Sequence, residues 1–541
     1  MGEPIRTLLV ANRGEIAARV FHTAKRLGMT TVAVAAPDDE GALHTRVADS
    51  VEPIASYLDP AEIVAAAGRA GADAVHPGYG FLAESEALAD AVAAAGLTWV
   101  GPPADVIRAA GDKLEAKRIA ADVGVPVVET GTPDELGFPL IIKAAAGGGG
   151  RGMRVVRSAD ELDDAVEAAR REAKAGFGDD TVFFERYVER PRHVEIQLLA
   201  DAHGTAISLG ERDCSVQRRH QKVLEESPSP AVNAALRREM GDAAVALAHA
   251  LRYQGAGTAE FILGEDGRFA FLELNARIQV EHPVTELVTG LDLVEQQLRI
   301  AAGEPLGLAS RDPEGHAVEV RLYAEDPRSF LPQAGRIDAL ELSEGIRVDA
   351  GIEAGDEVPL AYDPMIAKLV AHGETRDDAF ERLAAALDET HVSGVTTNLP
   401  FLRWLVRHPV LRAGEATTAF LTEHPPLSRA PRVPATWRGW WRLNSDAPAP
   451  APSAPPQVED AAHASGGDHT ERTVVAPMPG TVIRVLAAEG DRVEARQPLV
   501  VVEAMKMETP LVSPFEATVK KVHVAEGDRV TGGMVLVELE D

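Results

Sequence analysis

The first hundred residues alternate short apolar runs with a segment of helical spacing. Ile16–Leu27 carries apolar residues at helical intervals, and the apolar runs around it are Thr7–Ala11, Thr31–Ala35, Asp73–His76 and Thr98–Val100. This rhythm is typical of βαβ units, whose strands form a mostly parallel sheet. The pattern therefore predicts an α/β domain that ends near Lys113.

Composition divides the rest of the chain. At 541 residues the chain is too long for one core, so several domains are expected. A second block extends to about Pro305, and a third runs from about His316 to Pro425. Asp446–Asp468 is rich in Pro and Ala with almost no apolar bulk, which predicts a semi-extended linker.

The last segment, from about Arg472, contains an internal repeat. AEGDRV begins at Ala488 and returns at Ala525. In the same register, Pro477, Thr481, Val482, Val485, Leu499 and Val500 match Pro514, Thr518, Val519, Val522, Leu536 and Val537. Two copies of one strand set predict a small β-sandwich with a pseudo-twofold axis. The join between the copies, EAMKMET, is expected to form a tight turn that places Lys506 at an exposed tip.

The stretch GTAEFILGEDGRFAFLELNAR reads as a β-hairpin with acidic residues on both strands. With a two-residue turn at Asp266-Gly267, Glu265 pairs with Arg268 and Glu260 pairs with Glu273. Opposed carboxylates are destabilising unless a cation lies between them. With Asn275 on the same face, an oxygen-only site for Mg²⁺ or Mn²⁺ is one interpretation, and neutralisation by Arg or Lys alone is the other. An extended conformation would continue that face through Arg277, Gln279 and Glu281.

Two further stretches indicate anion binding. Gly147–Gly150 lie between two predicted strands, Pro139–Lys143 and Met153–Val156, and are either a mobile cover for phosphates or an ordinary surface hairpin. Lys113 and Lys143 could supply the counter-charge. ERDCSVQRRHQKVLEE packs Arg218, Arg219, His220 and Lys222 together, as an anion site or as a solvated basic face.

The overall charge limits the kinds of partner that the protein is expected to bind. Lys and Arg total 54 against 84 Asp and Glu, a formal charge of −30, which disfavours binding to nucleic acid and anionic membranes. No apolar run approaches the roughly 20 residues that span a bilayer. The N-terminus lacks a secretion pattern, and the single cysteine, Cys214, suits a reducing compartment. We therefore expect a cytoplasmic protein.

Read together, these motifs resemble the biotin carboxylase family of the ATP-grasp superfamily, as found in biotin-dependent acyl-CoA carboxylase α subunits. The matching text includes ANRGEIAARV, HPGYGFLAE, KAAAGGGGRGMRVV, ERDCSVQRRHQKVLEE, LELNARIQVEHPVTE, GHAVEVRLYAEDP and EAMKMET. The resemblance implies a Rossmann-like pre-ATP-grasp domain (1–113), an ATP-grasp domain (114–310), an α+β carboxylase C-terminal domain (311–425) and an all-β biotinyl domain (471–541). Between the last two, residues 426–470 contain the tryptophan segment and the Pro/Ala-rich linker.

The resemblance also implies roles for single residues. Lys506 should carry biotin, and Glu281 should be the general base, with Arg321 stabilising the biotin enolate and Arg277, Lys222, Gln279 and Val280 holding bicarbonate. Glu260, Glu273 and Asn275 should bind Mg²⁺ or Mn²⁺. The ATP site should comprise Lys113, Lys143, Gly147, Gly148, Gly149, Gly150, Glu185, Arg186, Val188, His193, Gln217 and His220, with backbone around Glu185–Val188 facing adenine.

The implied activity is ATP- and bicarbonate-dependent carboxylation of biotin through carboxyphosphate. A separate carboxyltransferase β subunit would then carboxylate an acyl-CoA of the acetyl or propionyl type, as in fatty acid metabolism. A biotin protein ligase and a homo-oligomer within a hetero-oligomeric complex are further expected partners. Trp437, Trp440 and Trp441 either dock the β subunit or pack on the chain itself. A split pyruvate carboxylase subunit and a non-catalytic biotin carrier are the alternatives.

Overall fold

The computed structural model describes most of the chain in ten stretches. They are residues 4–145, 153–177, 179–218, 221–327, 330–359, 361–425, 472–476, 480–504, 507–530 and 534–540. The predictions for Gly147–Gly150, Arg219, His220, Lys506 and the three linker tryptophans fall outside these residues. Among the described helices, none has the length and apolar character needed to cross a membrane.

The first hundred residues fold into a five-stranded parallel sheet with helices between its strands. The strands are β1 (Thr7–Val10), β2 (Thr30–Ala35), β3 (Ser50–Pro53), β4 (Ala74–His76) and β5 (Thr98–Trp99), and the helices are α1 (Gly14–Arg26), α2 (Leu43–Val47), α3 (Pro60–Ala70), α4 (Glu86–Ala94) and α5 (Ala104–Gly111). Their order across the sheet is β3-β2-β1-β4-β5. The predicted βαβ rhythm is confirmed, and each predicted strand differs from the observed one by a single residue at one end.

A small antiparallel sheet follows. This part contains α6 (Lys113–Asp122), α7 (Pro133–Leu136), β6 (Leu140–Ala144), β7 (Arg154–Val156), α8 (Leu162–Phe177) and β8 (Val182–Arg186). β6 lies between β7 and β8 and pairs antiparallel with both. Two strands therefore flank the glycine-rich stretch, as the sequence predicts, and its lysine, Lys143, lies on β6.

One large antiparallel sheet spans the second and third blocks of the chain. Its region contains β9 (Arg192–Ala200), β10 (Ala206–Arg218), β11 (Gln221–Ser227), α9 (Ala234–Leu251), β12 (Gly255–Leu263), β13 (Phe269–Asn275), α10 (His282–Thr289), α11 (Leu293–Ala301), β14 (His316–Tyr323), β15 (Gly335–Arg336), β16 (Ala339–Glu341), β17 (Arg347–Ala350), β18 (Glu357–Val358), β19 (Met365–Gly373), α12 (Arg376–Glu389), β20 (His391–Ser393), α13 (Leu399–Leu405), α14 (Pro409–Arg412) and α15 (Phe420–Glu423). The order across the sheet is β13-β12-β9-β10-β11-β14-β19-β17.

The pairing of β11 with β14 joins the second and third blocks. Leu224 lies opposite Val320, and both belong to the core that α12 and α13 cover. β10 and β11 therefore lie in the middle of a continuous sheet, and residues 211–215 on β10 are buried there.

The last segment forms two four-stranded antiparallel sheets. Its strands are β21 (Thr473–Val475), β22 (Gly480–Val485), β23 (Arg492–Val493), β24 (Pro498–Ala504), β25 (Met507–Val512), β26 (Ala517–Val522), β27 (Arg529–Val530) and β28 (Val535–Glu540). The strand orders are β21-β28-β26-β23 in one sheet and β25-β24-β22-β27 in the other. Equivalent strands of the two repeats therefore occupy the same position in the two sheets. Counterparts such as Val482 and Val519 are equally buried. The predicted pseudo-twofold sandwich is confirmed.

Candidate active site

The predicted pair of glutamates lies opposite on β12 and β13. Glu260 pairs with Glu273, which confirms that part of the prediction. The predicted turn is wrong, because Leu263 pairs with Phe269, one residue out of the expected register. Glu265 does not pair with Arg268. The side chain of Asp266 accepts a hydrogen bond from Arg268 Nε at 2.6 Å instead. A bulge next to Phe271 restores the register before Glu273, so the two errors cancel.

A lysine with only 12% of its side chain exposed joins three carboxylates at the centre of this sheet. Lys222 Nζ lies 2.6 Å from Glu195, 3.0 Å from Glu260 and 2.6 Å from Glu281. Burial lowers the pKa of Lys222, but the three carboxylates outweigh burial and raise the pKa well above its usual range. Lys222 is therefore charged, and it provides a fixed positive centre in a strongly acidic protein.

The acidic groups also suit a divalent cation. His193, Glu195 and Glu260 bring ligand atoms within 4.8 Å of one another, as do Glu195, Cys214 and Glu281, but Lys222 contacts both sets. In these two sets, the ammonium group of Lys222 already provides the positive charge that a metal ion would otherwise supply. Glu273 differs, because burial and the neighbouring Glu260 raise its pKa. Its side chain thus carries negative charge that the protein compensates poorly.

Asn275 completes the predicted metal set on the same strand. Asn275 Nδ2 donates to Glu260 Oε1 at 2.9 Å, and Asn275 Oδ1 accepts from Arg277 Nη2 at 3.0 Å. With Glu260 and Glu273, its amide oxygen forms the all-oxygen donor set that Mg²⁺ and Mn²⁺ prefer. The residues fit such an ion, provided that the amide oxygen is released by Arg277.

Glu281 is fully buried between cations. Lys222 Nζ donates to Glu281 Oε1 at 2.6 Å, and Arg321 Nη2 donates to Glu281 Oε2 at 3.0 Å. Burial raises the pKa of Glu281, but Lys222, Arg321 and Arg212 outweigh it and hold the pKa well below its usual range. Glu281 is thus ionised, which is the state that a carboxyl group needs in order to act as a base.

The loop after β13 brings the remaining predicted anion ligands to the same place. Arg277 Nη1 donates to Gln279 Oε1 at 2.8 Å, and Gln279 Nε2 donates to Glu260 Oε1 at 3.3 Å. The Val280 carbonyl accepts from Lys368 Nζ at 3.0 Å. The strand itself ends at Asn275. A folded loop, and not the extended face predicted, makes these side chains converge.

A second cluster of cations lies around Glu185 on β8 and includes Lys143 on β6. Lys143 Nζ is 2.7 Å from Glu185 Oε2, and Lys113 Nζ is 3.9 Å from Glu273. Lys117 also contacts Glu185. Burial and the neighbouring Lys113 lower the pKa of Lys143 to about 8. Because an anionic ligand would relieve this crowding of positive charge, the cluster is suited to phosphate groups.

The other predicted nucleotide residues are distributed around this cluster. Gln217 Nε2 lies 2.5 Å from His193 Nδ1, and His193 Nε2 lies 2.8 Å from Glu260, so both join the metal side of the site. Arg186 directs its side chain away to Glu129, at 2.7 Å. Arg186 is the last residue of β8 and lies two positions before Val188 in the chain. The backbone there stays the predicted adenine contact.

Several residues that organise the site were missed by the sequence analysis. Arg212 is fully buried and donates to Glu195, Gln197, Thr258 and Thr285. Glu84, in the first domain, accepts from Arg277 Nε at 2.9 Å. Arg212 and Glu84 lie in the motifs ERDCS and HPGYGFLAE. These motifs indicated the region of the site, but neither residue was assigned a role in it. Glu195 is a buried charge within the apolar run HVEIQLL, a signal that could have been used.

Four family models match successive parts of the chain. They are the biotin carboxylase N-terminal domain (residues 4–107), the carbamoyl-phosphate synthase L chain ATP-binding domain (112–309), the biotin carboxylase C-terminal domain (319–423) and the biotin-requiring enzyme domain (472–539). The unmatched region between the last two contains the predicted linker.

Known proteins match over long stretches. A biotin carboxylase of Halalkalibacterium halodurans is 46% identical over 77% of this chain and 98% of its own length. The propionyl-CoA carboxylase alpha chain of Ruegeria pomeroyi is 46% identical over 77% of this chain and 68% of its own length. The chain spans 65% of the mitochondrial methylcrotonoyl-CoA carboxylase subunit alpha of Dictyostelium discoideum, at 47% identity.

Among solved structures, the biotin carboxylase domain of Hydrogenobacter thermophilus 2-oxoglutarate carboxylase, bound to MgADP and bicarbonate, is similar. It matches 79% of this chain and 99% of its own, with 41% identity and a TM-score of 0.77. Fold and site together define an ATP-dependent ligase of the ATP-grasp class. With relatives matched over almost their whole length, the chain belongs to the biotin carboxylase family. The predicted fold class, enzyme class and use of ATP and biotin are confirmed.

Proposed function

We propose that this chain is the α subunit of a biotin-dependent acyl-CoA carboxylase and that it carboxylates biotin attached to its own Lys506. The observation that carries the proposal is the Lys222 cluster, in which one ammonium group and Arg321 enclose the buried carboxylate of Glu281. The α subunits of propionyl-CoA and methylcrotonoyl-CoA carboxylases among the relatives support the acyl-CoA type.

Bicarbonate is the small anion that this site would take. Lys222, Arg277 and Gln279, with the Val280 backbone, would hold it, and Glu281 would remove its proton as it attacks the γ-phosphate of ATP. The carboxyphosphate formed in this way decays rapidly in water, so a water-free site is needed. Carbon dioxide released beside biotin would then be captured, with Arg321 facing the developing negative charge.

The nucleotide would lie between the cation cluster and the paired glutamates. Lys113 and Lys143 would bind its phosphates, with Gly147–Gly150 closing over them. The predicted Glu185, Arg186, Val188, His193, Gln217 and His220 would surround the rest of the nucleotide. Glu260, Glu273 and Asn275 would hold Mg²⁺ or Mn²⁺, which neutralises phosphate charge when it is bound.

Activity is tested with the full chain and free biotin. Bicarbonate-dependent ATP hydrolysis that biotin stimulates is the expected result, and Glu281→Gln should lower it by about 10²-fold or more, because removal of a general base typically costs about 10²–10⁴-fold. Glu265→Gln is the matched control, since that side chain is 73% exposed on the same hairpin. Well-folded protein without such activity would favour the non-catalytic carrier.

Biotin attachment is tested separately. After expression with a biotin protein ligase, mass spectrometry should find biotin on Lys506, and Lys506→Arg should remove it. Loss of the adduct in Lys506→Arg with retained hydrolysis on free biotin would show that the two functions are separable. An unmodified Lys506 in the presence of a competent ligase would contradict the proposal.

The acceptor and the assembly are part of the proposal. We propose a carboxyltransferase β subunit as partner, in a cytoplasmic hetero-oligomer whose α subunits self-associate. A biotin carboxylase subunit of pyruvate carboxylase, 42% identical over 99% of its length, supports pyruvate as the second candidate acceptor. Purification of the native complex, followed by assays with acetyl-CoA, propionyl-CoA, longer acyl-CoAs and pyruvate, distinguishes them. Fractionation of cells tests the compartment.

A further inference from the structure

Two carboxyl groups that the proposed chemistry does not use lie behind Arg321. Glu225 on β11 and Glu319 on β14 occupy directly opposite positions in the pairing of these strands. Both residues have no solvent exposure. Opposite side chains in an antiparallel pair have Cβ atoms about 4.5–5.5 Å apart, so the two carboxyl groups are near neighbours.

The surrounding positive charge does not suffice for two carboxylates here. Arg321 Nη2 lies 2.5 Å from Glu225 Oε1, and the same nitrogen lies 3.0 Å from Glu281 Oε2. This guanidinium therefore already faces two acids. Lys368, the other cation facing Glu319, lies 3.2 Å from Glu15 and 3.6 Å from Asp349. Like charges at opposite positions in a buried sheet are destabilising.

Hydrogen bonding points in the same direction. Arg321 contacts Oε1 of Glu225, but in the part of the chain that the structure describes no donor makes a hydrogen bond to Glu225 Oε2 or to either oxygen of Glu319. Buried polar atoms are nearly always paired, so these three oxygens at one place need an explanation. A proton on one carboxyl group supplies a donor for the other. Burial and the neighbouring Glu225 also raise the pKa of Glu319 well above its usual range, against Lys368 and Arg321.

We propose that Glu225 and Glu319 form an acid pair that holds one proton, so that Arg321 faces a single negative charge on this side. Glu225 is the charged member, because it is the one in contact with Arg321, and Glu319 is the protonated member that donates to it. The pair is a positioning device, which fixes the guanidinium while Glu281 shares it. This inference rests on the proposed role of Arg321.

Two neutral variants separate the roles of the two acids. Gln resembles a protonated carboxyl group in shape and retains a donor, so Glu319→Gln should stay within about 2-fold of wild type in biotin-stimulated ATP hydrolysis. Glu225→Gln leaves Arg321 with Glu281 as its only charged contact among these three side chains, so biotin stimulation should fall by about 10-fold or more. Biotin-independent, bicarbonate-dependent hydrolysis should change by less than about 3-fold, because it uses Lys222 and Glu281.

Infrared spectroscopy of the full chain tests the proton directly. The difference spectrum between wild type and Glu319→Gln at mildly alkaline pH should contain the carbonyl band of one protonated carboxyl group. An ionised carboxylate band instead, or equal loss of biotin stimulation in both variants, would overturn the inference. So would a Glu225→Gln variant that slows both reactions equally, which indicates a merely structural role. If wild type shows no biotin stimulation at all, the proposed function fails, while the infrared result still decides the acid pair.

Discussion

Replacement of Lys222 by Met should damage both stability and activity. At an effective dielectric constant of about 20, a contact of 2.6–3.0 Å corresponds to about 6 kcal/mol of attraction between unit charges. The unfavourable burial of the charges and the mutual repulsion of the three carboxylates offset most of the attraction from these contacts. Removal of one partner from a buried ion pair costs about 3–5 kcal/mol, which is the loss that we expect for Lys222→Met.

The sign of its pH dependence follows from the carboxylates. Lys222 lowers the pKa of Glu281 and Glu260, so its stabilising effect is present above the ordinary carboxyl pKa and is lost as pH falls through the lowered values. Without Lys222, the buried carboxylates take up protons on folding. The stability of Lys222→Met should therefore fall as pH rises from mildly acidic to alkaline, while wild type changes less.

Urea denaturation at several pH values measures this difference. Lys174→Met is the matched control, because the Lys174 side chain is 64% exposed and should change stability by less than about 0.5 kcal/mol. Bicarbonate-dependent ATP hydrolysis should fall by about 10²–10³-fold in Lys222→Met, as for loss of one electrostatic donor. A variant as stable as wild type at alkaline pH, with its activity intact, would refute the assigned role of Lys222.

Three further changes test contacts that link distant parts of the chain. Glu84→Gln should raise the KM for bicarbonate in steady-state assays, because Arg277 loses its charged partner, by about 10-fold; an unchanged KM would contradict this. Lys368→Met should lower kcat for ATP hydrolysis and the free energy of unfolding in urea. Expressed as a free energy, the loss in kcat should be at least as large as the loss in stability, whereas Lys368→Arg should retain part of both. Glu226→Gln should cost about 3–5 kcal/mol in urea denaturation without a change in the pH profile of activity, because it breaks the buried bidentate contact with Arg376.

The sequence predicted what depends on local periodicity. Period-two alternation identified the two strands of the hairpin, and Glu260 was placed opposite Glu273 because an unpredicted bulge offset the wrong turn. A repeat of six residues, extended by matching positions on both sides, was enough to define the sandwich. The bulge beside Phe271 was not predicted, because nothing in the local pattern marks an extra residue. The two-residue turn was therefore assigned wrongly even though the glutamate pair was right.

Long-range pairing set the limit of the sequence analysis. Glu195 lies opposite Glu260 because β9 pairs with β12, and no local signal gives that register. Likewise, Glu84 and Arg277 are joined by the docking of the first domain on the sheet. The roles of the individual site residues remain predictions, whereas their convergence around Lys222 is a property of the fold.

The pairing of β11 with β14 has a consequence for any attempt to divide the protein. A fragment that stops at residue 310 would lack β14, and β11 would then expose an unpaired row of backbone groups beside the apolar Leu224. Such an edge invites aggregation. The same cut would remove Arg321 from the side chains that enclose Glu281. The ATP-binding part and the C-terminal part are thus a single unit for expression, and a usable truncation must fall beyond α15.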